Sequence, residues 1–124
     1  MSVKFFKCTV CGKVVEEVIN SDEKPVCCGK EMFELKANTT DAATEKHVPV
    51  VEINGNTVTA SVGSVTHPME EDHYIQFIAI ETDKGFYKKY LNPGEEPKAT
   101  FTLTDEKFVA AYELCNKHGL WKKE

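Results

Sequence analysis

The sequence contains no long apolar run. No stretch approaches the ~20 consecutive apolar residues that a membrane-spanning helix needs. Residues 1–7 also lack the long apolar core of a signal peptide. We therefore expect a cytoplasmic protein with no membrane association. In that compartment thiols stay reduced, and clustered cysteines indicate metal binding rather than disulfides.

Basic residues are also fewer than acidic ones. The 124 residues include 20 acidic and 15 basic side chains, which gives a formal net charge of -5. This balance argues against a general nucleic-acid-binding protein, and any anionic substrate would need a local positive site. The length allows one medium-sized domain, or one domain with a very small module. A hydrophobic fraction of 41% and a charged fraction of 28% are typical of a globular protein.

Residues 1–36 are predicted to form a small metal-binding domain. Cys8 and Cys11 form a C-x-x-C turn followed by glycine, whereas Cys27 and Cys28 are adjacent. A unit this short buries little apolar surface, so four thiolates on one ion would stabilise it. Neighbouring residues of an extended chain point to opposite sides, so the adjacent pair requires a distorted local geometry. The residues leave both a structural zinc knuckle and an electron-carrying iron site open.

The remainder, residues 37–124, is predicted to be a second domain after a linker at 36–44. Alternating apolar residues predict short strands at 48–53, 57–62, 74–82, 86–91, 99–103 and 108–114. The alanines of the last segment would also suit a helix, but its alternation favours a strand. Asn54-Gly55-Asn56 is a hairpin signal. Six or seven short strands with regular turns predict an antiparallel β-sandwich, and hence an all-β chain.

The fifth cysteine, Cys115, is left over from the four N-terminal ones and precedes the last histidine, His118, by three positions. The other histidines, His47, His67 and His73, lie at strand edges or in loops. Each histidine alone is more often not a ligand than a ligand. Their joint pattern indicates a second metal site with four imidazoles and one thiolate. Five ligands disfavour structural zinc, and imidazole with thiolate suits iron or copper.

Such a centre would keep one coordination position for a substrate. A ferrous ion with four equatorial nitrogens and an axial sulfur suits the binding and one-electron reduction of a small oxygen ligand. Lys46, beside His47, either adds positive charge that attracts an anion or is one of many surface lysines. Two other classes stay open. One is an electron-transfer protein with two irons and no substrate, and the other is a zinc-stapled binding module with unrelated histidines.

Taken together, these motifs resemble the desulfoferrodoxin family, the two-iron class of superoxide reductase. The resemblance covers essentially the whole chain, and its matching segments are 8–11, 27–29, 45–49, 67–73 and 115–121. Glu31 departs from the pattern, because relatives often have proline there, but it lies outside the ligands. The complete set of N-terminal cysteines excludes the one-iron class by the same comparison.

The resemblance implies a desulforedoxin- or rubredoxin-like iron domain followed by an immunoglobulin-like sandwich, in a homodimer. It also implies reduction of superoxide to hydrogen peroxide without formation of dioxygen, with rubredoxin or a similar protein as electron donor. One iron would be held by Cys8, Cys11, Cys27 and Cys28. The second would be held by His47, His67, His73 and His118 in the equatorial plane and by Cys115 on the axis. Lys46 would steer superoxide and help deliver protons, and Glu45 would bind the ferric iron after turnover.

Overall fold

A computed structural model describes Val3–Glu124, and the chain divides into two compact units. The first unit ends at Lys36, and the second comprises Ala37–Glu124. Both are built almost entirely of β-strands, which confirms the predicted fold class. Among the described residues, no helix has the length and apolar character needed to cross a membrane.

The first unit consists of five short antiparallel strands. They are β1 (Lys4–Lys7), β2 (Val14–Glu17), β3 (Val26–Cys27), β4 (Lys30–Glu31) and β5 (Phe33–Glu34). β1 is the middle strand of one sheet, between β2 and β5, while β3 and β4 form a separate pair. The buried cluster of this unit is small and consists of Phe6, Cys8 and Met32. In this unit the sequence predicted strands only at 4–7 and 14–19 and did not indicate β3, β4 and β5, which each have only two residues.

The second unit is a sandwich of two antiparallel sheets preceded by one helical turn. Its elements are α1 (Thr44–His47), β6 (Pro49–Asn54), β7 (Thr57–Val62), β8 (Ile75–Thr82), β9 (Phe86–Tyr90), β10 (Lys98–Thr102), β11 (Phe108–Cys115) and β12 (Gly119–Lys123). The strand orders are β10-β7-β6 and β12-β11-β8-β9. Buried residues of β7 and β10 pack with those of β8 and β11 in one apolar core.

Strand character follows the sequence pattern. The β7 side chains alternate between half-buried and buried, as expected for a strand with one face on the core. β8 and β11 are buried along most of their length, because each is flanked by a strand on both sides within its sheet. The ambiguous segment 108–114 is a strand, as interpreted. Two features differ from expectation: the helical turn α1 begins at the last residue of the predicted linker, and neither α1 nor β12 was predicted.

Candidate metal centres

The sandwich brings five potential ligands, widely separated in sequence, to one end of the second unit. His47 ends α1 just before β6, and His67 follows β7, which pairs antiparallel with β6. His73 precedes β8, and Cys115 is the last residue of β11, where it pairs with Ile75. His118 lies in the turn between β11 and β12. In an antiparallel sheet the start of one strand lies beside the end of its neighbour, so the topology itself assembles the site.

The four imidazoles form a closed ring around a common centre. Consecutive centroids are 4.7 Å apart for His47 and His67, 4.7 Å for His67 and His73, 5.1 Å for His73 and His118, and 4.8 Å for His118 and His47. Each pair is close to edge-on, with interplanar angles of 75 to 89°. The Cys115 Sγ lies 3.4 Å from His67 Nε2 and 3.9 Å from His118 Nδ1, two rings on opposite sides of the cycle. One ligand atom from each of the five residues lies within 4.8 Å of all the others.

Hydrogen bonds identify which ring nitrogens face the centre. The Nδ1 of His47 lies 2.7 Å from the carbonyl of Ala43, and that of His67 lies 2.6 Å from the carbonyl of Pro68. A carbonyl only accepts, so both Nδ1 atoms carry the hydrogen and both Nε2 atoms present a lone pair. For His118 it is Nδ1 that lies 3.1 Å from His47 Nε2. Sequence alone does not contain this choice of nitrogen.

The donor set fits a metal ion. The Nε2 atoms of His47 and His67 are 3.2 Å apart, and their lone pairs face each other with no hydrogen between them. This arrangement is repulsive unless a cation lies between the nitrogens. Two nitrogens at about 2.1 Å from one ion and at right angles would be separated by about 3.0 Å. The Nε2 of His73 is buried without a hydrogen-bond partner, as expected of another ligand atom.

Burial keeps these imidazoles in the state that binds metal. Burial lowers the pKa of His67 to about 4, and it also lowers the pKa of His47 and of His73. The three rings are therefore neutral at pH 7. Burial has the opposite effect on Cys115 and raises the pKa of its thiol, although the amides of Lys117 and His118 partly offset this. Metal binding at neutral pH thus requires this thiol to lose its proton.

The first unit contains the second centre. The Sγ atoms of Cys11 and Cys27 are 3.6 Å apart, and those of Cys27 and Cys28 are 3.9 Å apart. Four sulfurs at about 2.3 Å from a tetrahedral ion would be separated by about 3.8 Å. Cys28 and the following Gly29 have positive φ angles of 54° and 75°. This left-handed turn is the distortion that lets adjacent cysteines both face Cys8 and Cys11.

Backbone amides prepare this site for a thiolate. The N–H groups of Cys11 and Val10 donate to the Cys8 sulfur over 3.5 and 3.4 Å, and they lower the pKa of Cys8 to about 6. The neighbouring sulfurs of Cys11 and Cys8 raise the pKa of Cys27 to about 12. Four thiolates cannot share so small a volume without a cation. None of the five cysteines forms a disulfide bond.

Glu45 and Lys46, the predicted catalytic residues, lie on α1 with exposed side chains. Within Val3–Glu124 neither side chain forms an ion pair. The backbone is held more firmly: the Glu45 carbonyl accepts from the Val65 amide over 2.9 Å and from the Ser64 hydroxyl over 3.2 Å. The loop after β7 therefore fixes the turn that carries Glu45, Lys46 and the ligand His47.

Sequence reasoning missed the residues that support the ligands. Trp121 stacks on His47 with ring centroids 4.9 Å apart, and its Nε1 donates to the His118 carbonyl over 3.0 Å. Asn116 forms three hydrogen bonds beside His73. Both lie within or beside the Cys115–His118 turn, and their polar or aromatic side chains were the available signal.

Comparison with known proteins identifies the family. The family model described as Desulfoferrodoxin matches residues 39–124, which include all five ligands of the second unit. This chain belongs to the desulfoferrodoxin family. The resemblance that the motifs indicated is thereby confirmed.

Relatives extend the match over both units. A desulfoferrodoxin homolog of Archaeoglobus fulgidus is 48% identical and covers 97% of this chain and 95% of its own. The desulfoferrodoxin of Nitratidesulfovibrio vulgaris is 46% identical, over 98% of this chain and 95% of its own. The crystal structure of the superoxide reductase from Treponema pallidum is similar with a TM-score of 0.84, 36% identity and complete coverage of both chains. The two clusters match the four-cysteine and the four-histidine, one-cysteine iron sites of desulfoferrodoxins.

Proposed function

We propose that this protein is a superoxide reductase that detoxifies superoxide by reducing it to hydrogen peroxide. One electron and two protons are consumed per superoxide, and no dioxygen forms. The observation that carries the proposal is the ring of four imidazoles with the buried sulfur of Cys115 beside it, all five ligand atoms lying within 4.8 Å of one another. Five protein ligands leave an octahedral ion one position for a substrate. The relatives and the similar solved structure support the same activity.

The five residues His47, His67, His73, His118 and Cys115 would hold the catalytic iron. Iron bound there would supply the electron and the coordination position for superoxide. The protein's own contribution is to prepare the ligands: burial lowers the pKa of His47 and of His67, and hydrogen bonds to the carbonyls of Ala43 and Pro68 fix the orientations of these two rings. The thiolate of Cys115 is enclosed, which protects it from direct contact with solvent oxidants.

Lys46 is the residue we assign to substrate attraction. It follows Glu45 and precedes the ligand His47 on α1, and its side chain is exposed. The chain as a whole carries a net charge of -5 and repels an anion, so attraction depends on a cation next to the site. The ammonium group of Lys46 can also deliver protons to the reduced substrate through water. We assign Glu45, its neighbour, as a carboxylate ligand of the oxidised iron.

The four-cysteine unit of residues 1–36 is proposed to hold a second, electron-carrying iron. The unit of residues 37–124 is proposed as the catalytic domain. We further propose a cytoplasmic homodimer that receives electrons from rubredoxin or a similar donor. Support for the compartment comes from the five reduced cysteines.

Lys46→Ala tests the steering role, and Lys107→Ala is its matched control. Both change the net charge equally, but Lys107 is exposed just before β11, at the opposite end of that strand from the ligand Cys115. A unit charge about 4 Å from the substrate in water contributes about 1 kcal/mol, or roughly fivefold in rate. We expect rapid mixing with superoxide to show about a fivefold slower second-order reaction for Lys46→Ala, with weaker salt dependence. Equal rates for the two variants would remove the steering role.

Metal analysis and the same assay test the activity itself. Two irons per chain and rapid oxidation of the second centre by superoxide, with release of peroxide, are expected. A protein that binds two irons but reacts only with other redox proteins would be an electron carrier. A colourless protein containing zinc would be a binding module, and either result would refute the proposal.

A further inference from the structure

His73 differs from His47 and His67 in how its ring is held. The rings of His47 and His67 are each oriented by an Nδ1–H bond to a nearby carbonyl. The peptide carbonyl of His118 accepts from Trp121. The buried Nε2 of His73 has no hydrogen-bond partner among the described residues, although the residue as a whole is half-buried. A ligating histidine normally has a hydrogen-bonding group that fixes its orientation, so the position of His73 must be set through its backbone.

Asn116 provides three hydrogen bonds to the backbone on both sides of His73. Its side-chain Nδ2 donates to the carbonyl of Asp72 over 3.0 Å, and its Oδ1 accepts from the amide of Tyr74 over 2.9 Å. Its own amide donates to the Tyr74 carbonyl over 3.2 Å. These contacts bridge 42 and 44 residues of sequence. They join the turn that carries Cys115 and His118 to the loop that carries His73.

These hydrogen bonds lie beside the widest gap in the ring of imidazoles. The centroids of His73 and His118 are 5.1 Å apart, which is the widest of the four consecutive separations. The loop around His73 is also tightened from its other side, because Glu70 and His73 exchange two backbone hydrogen bonds of 2.9 and 3.1 Å. The turn at Glu70 shapes the loop, and the Asn116 side chain ties it to the Cys115–His118 turn, next to the pairing of Cys115 with Ile75.

We infer that Asn116 is a positioning residue that holds His73 in the ligand ring by clamping Asp72 and Tyr74 to the Cys115–His118 turn. Asn116 touches neither the metal nor a substrate and acts through the backbone of His73. The inference concerns metal affinity and stands independently of the reaction proposed above, since it is measured without superoxide. It predicts energetic coupling between the Asn116 and His73 side chains.

Ferrous iron binding in a double-mutant cycle measures that coupling. Trp121 is the single tryptophan of the chain and stacks on His47. Its fluorescence therefore reports directly on the five-ligand site. Anaerobic competition with an iron chelator would be followed by this signal. We expect Asn116→Ala to lower the iron affinity by about 10- to 100-fold, the usual effect of losing a group that orients a ligand.

The same substitution in a His73→Ala background is expected to lower the affinity by less than twofold, because the ligand through which Asn116 acts is already missing. Equal losses in both backgrounds would mean that Asn116 does not act through His73. An unchanged affinity for Asn116→Ala would refute the inference directly.

Asp83→Ala is the matched control for a general loss of stability. Asp83 follows β8 at the end opposite His73, where its Oδ1 accepts from the amide of Lys107 over 2.8 Å and its own amide donates to the carbonyl of Lys107 over 3.0 Å. We expect its iron affinity to stay within twofold of the parent protein. A loss equal to that of Asn116→Ala would show that general loosening explains both.

Asn116→Asp covers the case in which the alanine variant does not fold. The carboxylate keeps the acceptor for the Tyr74 amide but loses the donor to the Asp72 carbonyl. A folded Asn116→Asp protein with weakened iron binding, again only when His73 is present, supports the clamp. Parental affinity in this variant would overturn it.

Discussion

Replacement of Gly63 by alanine should disturb the five-ligand site indirectly, by displacing the turn that carries His47. A Cβ on Gly63 would lie 2.7 Å from the Glu45 carbonyl oxygen, 3.1 Å from the Lys46 carbonyl carbon and 3.1 Å from the Val48 oxygen. All three atoms belong to the backbone of the α1 turn and the residue after it. A flexible side chain could rotate away, but this backbone can relieve the overlap only by moving as a unit.

The size of that movement follows from the distances. The 2.7 Å approach would have to grow by about 0.7 Å to reach the 3.4 Å at which ordinary contact begins. Overpacking of this kind costs about 1–3 kcal/mol of stability. Misplacement of a reactive group by about 1 Å lowers rates by roughly 100-fold. For a shift of the turn that carries Lys46 and His47, we expect at least a tenfold slower reaction with superoxide.

Rapid mixing of iron-loaded Gly63→Ala with superoxide measures the rate, and Gly85→Ala is the control. A Cβ on Gly85 would also approach to 2.7 Å, but its neighbour is the hydroxyl at the tip of the Tyr87 side chain, far along the chain from the ligands. The Tyr87 side chain can swing aside at the cost of its hydrogen bonds to Glu106, so we expect a small loss of stability and a parental rate. A parental rate for Gly63→Ala, or equal slowing in both variants, would refute the reasoning.

Three further predictions concern the metals. Trp121→Phe keeps an aromatic ring on His47 but loses the hydrogen bond to the His118 carbonyl. A lost hydrogen bond costs about 1 kcal/mol, so chelator competition should show about 5- to 10-fold weaker iron binding at the five-ligand site. Burial raises the pKa of Cys115, so the metal-free thiol is protonated at pH 7 and must release its proton when metal binds. Calorimetry between pH 6 and 8 should therefore show the logarithm of the iron affinity of this site rising by about one per pH unit. The first unit has a buried cluster of three residues, so removal of metal should abolish its NMR chemical-shift dispersion but preserve the dispersion of the sandwich. Retained dispersion in both units would contradict this.

Much of the sandwich was predictable because its strands have a regular pattern. Alternation in 57–62 and the Asn54-Gly55-Asn56 signal identified the β6–β7 hairpin, in which Gly55 has a φ of 64°. The alternation within 108–114 was a better guide than its alanines, whose small side chains suit the buried centre of β11. The single turn α1 escaped prediction because four residues are too few for a helical period. β12 escaped prediction because its sequence, Gly-Leu-Trp-Lys-Lys, has no alternation of apolar and polar residues.

The members of the candidate site were predictable from residue type, but their arrangement was not. A leftover thiol and four histidines indicated the ligand set, because few other roles explain them together. Sequence does not specify that His118 presents Nδ1 while His47 and His67 present Nε2. That choice depends on which carbonyl lies beside each ring, and those carbonyls are positioned only once the loops have folded. The support from Asn116 has the same origin, since its partners are more than 40 residues away.

The two centres differ in the relation between metal and fold. In the five-ligand site the lone pairs of His47 and His67 face each other at 3.2 Å, an arrangement that a metal-free chain would relax if the surrounding structure allowed it. The carbonyls of Ala43 and Pro68 and the large core beneath hold these two rings in place, so we expect the sandwich to keep this site formed without metal. The first unit has a buried cluster of three residues, so we expect an ion bound by its four sulfurs to contribute much of its stability.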